Sequence, residues 1–225
     1  MNTTSLGPTP SGVPVLVYSE AVRVLCVGGG NVAARKVRNL MDGGAAVRVV
    51  APDVVAELLQ AVDAGGLQWV RRPYRSDDVA DAHLVVAGTA DPEVNARVAA
   101  DADAAGRLCI RVDDAVGGTA AFMGAVRRDP VVIGVSTSGA APGLSRLLRH
   151  ELEQQYGPEL GPFAALWGRL RNDPRVVEAL AGFDQADRRG RWRAIYRADI
   201  LDSIRAGKLA EAKEAALACL LSSSD

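Results

Sequence analysis

From Val13 to Asp113 the chain switches repeatedly between two periods of hydrophobicity. "VRVLCV" (Val22 to Val27) is a continuous β-branched and apolar run, the pattern of a strand covered on both faces. "NVAARKVRNLMDGG" then takes a helical period. Ala33, Val37, Leu40 and Met41 form an apolar stripe, and Gly43 and Gly44 stop it. The exchange continues through "AVRVVAP", "VVAELLQAVDAGG", "LQWVRR", "HLVVAGTA", "DPEVNARVAADADAAG" and "RLCIRV". Strands and helices alternating at these lengths specify an α/β fold, a Rossmann-like parallel sheet with helices on both faces. Asp91-Pro92 supplies an N-cap and a first-turn proline for the helix it opens.

The pattern changes after Asp113. "TAAFMGAV", the turn "RRDP" and "VVIGVSTS" predict a hairpin with no helix between its strands. From Pro142 the sequence reads helical, with Leu144, Leu147, Leu148, Glu151 and Leu152 at helical spacing and Arg146 and Arg149 toward another side. A break at Tyr156 to Pro158 precedes further helices. The expected organisation is a leader over 1–12, a nucleotide-binding domain over 13–113, a small hairpin and helix region over 114–150, and a helical domain over 151–225.

Composition removes several classes of function. Lysine plus arginine (26) balances aspartate plus glutamate (27), so no general nucleic-acid-binding surface is expected. No apolar run reaches membrane-span length and the polar start lacks the regions of a signal peptide, which predicts a cytoplasmic chain with no membrane partner. Cys26, Cys109 and Cys219 are far apart, and the first two sit in strand-like runs as small hydrophobes. His83 and His150 cluster with nothing, so no metal ligands are assigned.

The stretch "VLCVGGGNVAARK" carries the clearest functional signal. It supplies Gly28-x-Gly30-x-x-Ala33 between a strand and a helix, the dinucleotide arrangement. Gly28 permits the tight turn, Gly30 leaves room for a pyrophosphate, and Ala33 lets the helix approach the sheet. The N–H groups near Asn31 and Val32 then face the ligand with a favourable dipole. A NAD site usually carries an acid at the end of the second strand, but Val49 and Val50 occupy that point. Two readings stand for Asp53, the nearest acid: it holds a ribose hydroxyl, or it caps the following helix. No arginine directly follows the second strand, which favours NAD over NADP. Gly88 and Thr89, after the fourth strand, either let the backbone approach the cofactor or form a helix-capping turn.

Together, "VGGGNVAARK", "VVAPD", "GTADPEVN", "IRVDDA" and "VSTSGAAPGLSRLLRHELE" resemble the precorrin-2 dehydrogenase / sirohydrochlorin ferrochelatase family, over about residues 13–172. The resemblance implies oxidation of precorrin-2 to sirohydrochlorin with NAD as cofactor, and in some members insertion of ferrous iron to give siroheme. It implies that Pro52 joins Asp53 in the cofactor site and that the family's catalytic aspartate falls on Asp113, with Asp114 as its rival. It further implies a homodimer whose partners complete each other's sites through the 114–150 region. The hairpin's edge strand would also need such cover. The substrate class carries eight carboxylates, so Ser136, Thr137, Ser138 and Gly139 are candidates to bind them, with Arg146 as an ion-pair partner. For these residues the plainer reading is a helix cap at Ser138 and a solvated Arg146. The length implies that a separate enzyme makes the substrate. The competing class is a non-catalytic Rossmann nucleotide sensor or regulatory subunit, which would need neither Asp113 nor the "STSGAAPGLSR" loop.

Overall fold

A computed structural model describes residues 12–114 and 116–222. The expected leader therefore lies, except for Gly12, outside the described residues. The chain divides into two compact units. One contains the described residues up to Phe122 together with Thr137–Pro142, and the other contains Met123–Ser136 and the described residues from Gly143 onward.

The first unit is a parallel sheet of five strands: β1 (Arg23–Val27), β2 (Ala46–Ala51), β3 (Gln68–Arg71), β4 (Leu84–Ala87) and β5 (Leu108–Arg111), in the order β3-β2-β1-β4-β5. Helices α1 (Asn31–Asp42), α2 (Ala56–Asp63) and α3 (Pro92–Ala104) form the crossovers after β1, β2 and β4. The strands read as unbroken apolar runs because they are covered on both sides. Val24, Cys26, Val49 and Val86 pack in one core with Ala33 and Val37 of α1, while Leu25, Val27, Val85 and Cys109 pack in the other with Val98 of α3. Each fully buried valine or leucine contributes about 1.5–3 kcal/mol. The strand order reverses between β1 and β4, so the carboxyl ends of those strands open a crevice. This is the Rossmann-like fold expected from the alternation.

Three local expectations need correction. The second helix does not start at Val54: Val55 is its extended N-cap, because the Val55 N–H donates to the Gly29 carbonyl instead of continuing a helix. "TAAFMGAV" is not one strand. The N–H groups of Thr119 and Ala120 both donate to the Cys109 carbonyl, and the Thr119 hydroxyl accepts from the Cys109 N–H, so this stretch lies along β5. The hairpin strand starts only at Gly124 and runs through the two arginines assigned to the turn, leaving Asp129-Pro130 to reverse the chain.

In the second unit, β6 (Gly124–Arg128) and β7 (Val131–Val135) form the antiparallel hairpin. Helix α4 (Pro142–Gln155) follows, then α5 (Leu160–Arg171), α6 (Pro174–Leu180), α7 (Gln185–Ala194), α8 (Ala198–Arg205) and α9 (Leu209–Leu221). Phe163, Leu166, Leu170, Ile195, Ile200 and Leu220 are at the centre of their shared core. None of the residues of α4 is buried. Among the described residues no helix is long and apolar enough to cross a membrane.

Candidate functional site

The glycine turn sits at the carboxyl end of β1. Gly28 has φ +118°, a conformation that disfavours a side chain, and a Cβ there would stand 2.5 Å from the Gly88 carbonyl oxygen. Gly29, an unassigned position in the motif, is equally constrained: a Cβ would overlap the Asp53 carbonyl. The two glycines thus let the loops after β1, β2 and β4 meet. Gly30 differs, because its Cβ position faces open space. It is the N-cap of α1 and makes no side-chain capping bond. The first N–H groups of α1, at Asn31 and Val32, have no intrahelical acceptor and point from the positive end of the helix dipole. Val32 exposes its apolar side chain beside them. This open, donor-lined cradle fits a dinucleotide pyrophosphate.

At the neighbouring strand end Pro52 and Asp53 follow β2. Asp53 is not the cap of α2, so the capping reading is excluded. Its carboxylate is 84% exposed and lies 3.3 Å from Nη2 of Arg71, itself 71% exposed, at the end of β3. After β4, Gly88 forms part of the floor under Gly28, whereas Thr89 is engaged internally. Its N–H and hydroxyl both donate to Oδ1 of Asn95, at 3.0 and 2.8 Å, and Asn95 returns a bond to the Thr89 carbonyl. Asp91 caps α3. Thr89 therefore braces the loop, which leaves backbone approach to Gly88.

Asp113 follows β5. Arg111 grips its carboxylate with two donors, Nη2 to Oδ2 at 2.7 Å and Nε to Oδ1 at 3.2 Å. That guanidinium, against an opposing effect of partial burial, holds the Asp113 carboxyl below the usual carboxylate range, and Asn95 adds to the shift. The adjacent acids, inseparable by spacing, differ in structure. The side chain of Asp113 is 26% exposed, whereas that of Asp114 is 42% exposed, stands 3.6 Å from Arg111 and accepts the Val116 N–H of its own turn.

Lys36 escaped the sequence reading. Its ammonium lies 4.6 Å from the centre of the Phe122 ring, and desolvation followed by repulsion from Arg35 lowers its pKa. The signal was its place one turn past the glycine motif; its aromatic neighbour lies far along the chain. Of the candidate anion-binding loop, Ser136 ends in the second unit and Thr137, Ser138 and Gly139 belong to the first. Ser138 and Gly139 both take positive φ, 50° and 82°. The hydroxyl of Thr137 accepts the Ala141 N–H ahead of α4. Arg146 is exposed on α4.

His83 accepts the Arg23 N–H through Nδ1, a link between neighbouring strands. Burial pushes the Cys26 thiol up to about 12 and that of Cys109 up to about 11, so both stay protonated. A cleft of about 630 Å³ at the amino ends of β1 and β2, lined by Arg23, Ala46, Leu67 and Asp81, lies at the wrong end of the sheet for a ligand of this fold.

The sequence family described as "Putative NAD(P)-binding" matches residues 15–123. A siroheme synthase of Pseudomonas putida is 39% identical over 204 residues, 89% of this chain, and one of Pseudomonas paraeruginosa is 40% identical over 201 residues. Most of this chain is thus similar to siroheme synthases. It spans 42% of the length of these relatives. A solved structure of SirC, a precorrin-2 dehydrogenase, superposes with a TM-score of 0.70 over 92% of this chain and 99% of that one; at 23% identity it shows the shared fold. The segments that carry the sequence resemblance lie within the long stretch shared with these relatives.

Proposed function

We propose that the chain oxidises precorrin-2 to sirohydrochlorin with NAD. The supporting observation is a single unit that presents an open glycine cradle at the β1 carboxyl end and an ionised carboxylate just past β5. Bound NAD would supply the hydride acceptor. Gly28 and Gly30 admit the pyrophosphate, the N–H groups of Asn31 and Val32 bind it, Gly88 underlies it, and Pro52 and Asp53 meet the ribose. Asp113 accepts the proton that the macrocycle releases as its hydride departs, so that substrate and NAD yield sirohydrochlorin, NADH and one proton. Arg111 keeps that carboxylate ionised, and its Nη1, 3.6 Å from the Asp114 carboxylate, leaves Asp114 in a supporting place. The substrate's carboxylates find donors at Ser136, Thr137, Ser138, Gly139 and Arg146.

Similarity to siroheme synthases supports extending this reading to insertion of ferrous iron, with Asp113 assisting pyrrole N–H loss and iron entering as substrate. We propose that the reaction takes place in the cytoplasm, a reading supported by the free cysteines Cys26, Cys109 and Cys219. A homodimer is supported by Leu144, Leu147 and Leu148, which α4 leaves exposed on one face.

Anaerobic incubation with precorrin-2 and NAD, followed by absorbance, tests the assignment. Asp113→Ala lowers the rate by about 10²–10⁴-fold while NAD still binds. Iron addition then reports chelation above the uncatalysed rate. Tight NAD binding with no turnover of precorrin-2 would instead support the nucleotide sensor.

A further inference from the structure

The ribose corner contains two opposite charges where a dinucleotide site of one preference needs only one. Parallel register puts Ala51 of β2 directly beside Arg71 of β3, so the arginine emerges next to the loop that carries Asp53. The two side chains lie 3.3 Å apart although 18 residues separate them. Arg71 also lies over the ring of Trp69, 5.4 Å from its centre. The Trp69 indole N–H donates to the Ala51 carbonyl at 3.0 Å, which fixes the ring against the end of β2. The next arginine along is unavailable, because both terminal nitrogens of Arg72 are bound to the Asp78 carboxylate.

This ion pair is not part of the unit's scaffold. Both partners are largely solvated, and such exposed pairs contribute little to stability, so either side chain can turn to a ligand at little cost. Asp53 can accept from a ribose 2′-hydroxyl, the usual task of an acid at this corner. A lone carboxylate would also repel a 2′-phosphate. Arg71 cancels that repulsion and offers a planar fork matched to phosphate oxygens, braced from behind by the indole.

We propose that Trp69 and Arg71 form a 2′-phosphate subsite, so that this chain binds NADP as well as NAD, with Asp53 serving the hydroxyl and Arg71 the phosphate. The proposal rests on the reading of the glycine turn as a dinucleotide site. It also reverses the preference for NAD alone that follows from the absence of an arginine right after β2.

The test is equilibrium titration with NADH and with NADPH, followed by nicotinamide fluorescence, on the wild-type chain, Arg71→Ala and Asp53→Asn. The wild type binds the two within about tenfold of each other. Arg71→Ala weakens NADPH by about 10–100-fold, the loss of a charge-assisted phosphate contact, and changes NADH by less than about threefold. Asp53→Asn acts in the opposite sense, weakening NADH several-fold and tightening NADPH. NADPH binding weakens more steeply with salt than NADH binding in the wild type, and equally in Arg71→Ala. Equal effects of Arg71→Ala on both ligands, or wild-type NADPH binding more than about 100-fold weaker than NADH, overturn the subsite and leave the NAD site intact. Absence of binding for both ligands overturns the dinucleotide reading itself.

Discussion

Strand β1 is an apolar run and helix α4 carries a leucine stripe, yet the two end differently. Every β1 residue after Arg23 is buried, sandwiched between α1 on one face and α3 with its neighbours on the other. Helix α4 buries none of its residues and leaves Leu144, Leu147 and Leu148 exposed. The nucleotide unit is complete within one chain, including its polar interior. Asp78 is buried against the Arg72 guanidinium and accepts the Arg75 N–H as well. The face of α4 has no comparable internal cover. The difference separates a strand covered on both faces within its own unit from a helix whose leucine stripe is left exposed.

The largest effect on stability is expected inside the complete unit. Asp78→Ala leaves Arg72 unpaired and removes the turn's capping acceptor, which costs about 3–5 kcal/mol. Denaturant unfolding monitored at Trp69, in a variant with Trp167 and Trp192 replaced by phenylalanine, measures this loss; an unchanged midpoint would show that the pair does not hold the unit. Acid tests the same interaction. The Arg72 pairing lowers the Asp78 pKa in the folded chain, and Arg205 does the same to the buried Glu159 of the helical unit. A depressed folded pKa means that the stabilisation is fully present above the ordinary carboxylate range, about pH 4, and disappears as pH falls through the lower folded values. Acid unfolding of the wild type should therefore be steeper than that of Asp78→Ala.

A smaller effect is expected on α4, and it should appear in assembly rather than in folding. Leu147→Glu converts a dimer to a monomer by light scattering, removing about 1.5–3 kcal/mol of burial per copy while leaving NADH affinity unchanged. A dimer that survives Leu147→Glu would mean that the leucines are not the covering surface. The smallest effect is electrostatic. Arg111→Gln lets the Asp113 pKa rise toward its ordinary value, so the ionised form is lost at higher pH and the acidic limb of kcat/KM moves upward. An unmoved limb would separate Asp113 from the proton transfer.

Much of the nucleotide unit was legible because its signals are local. Strand runs, helical stripes, the Gly43-Gly44 stop and the Asp91-Pro92 cap each involve residues within a few positions of one another, where steric and hydrogen-bonding preferences act without help from the rest of the chain. The glycine motif was legible for the same reason, although Gly29 looked unconstrained until the Asp53 loop was seen to pack on it. The start of α2 and the fate of Thr119 were not legible, since in each case the N–H donates to a carbonyl of another segment.

By itself, then, the sequence determined the alternation, the sheet class and the turn that a pyrophosphate can occupy, all consequences of short-range backbone preference. Tertiary structure decided which charges meet. Arg71 reaches Asp53 only because β3 lies beside β2 in a register that aligns Arg71 with Ala51, and Lys36 finds Phe122 only through the fold of the whole unit. Lateral neighbours in a parallel sheet are set by strand order and twist, which no local pattern encodes, and the chemistry of the ribose corner depends on them.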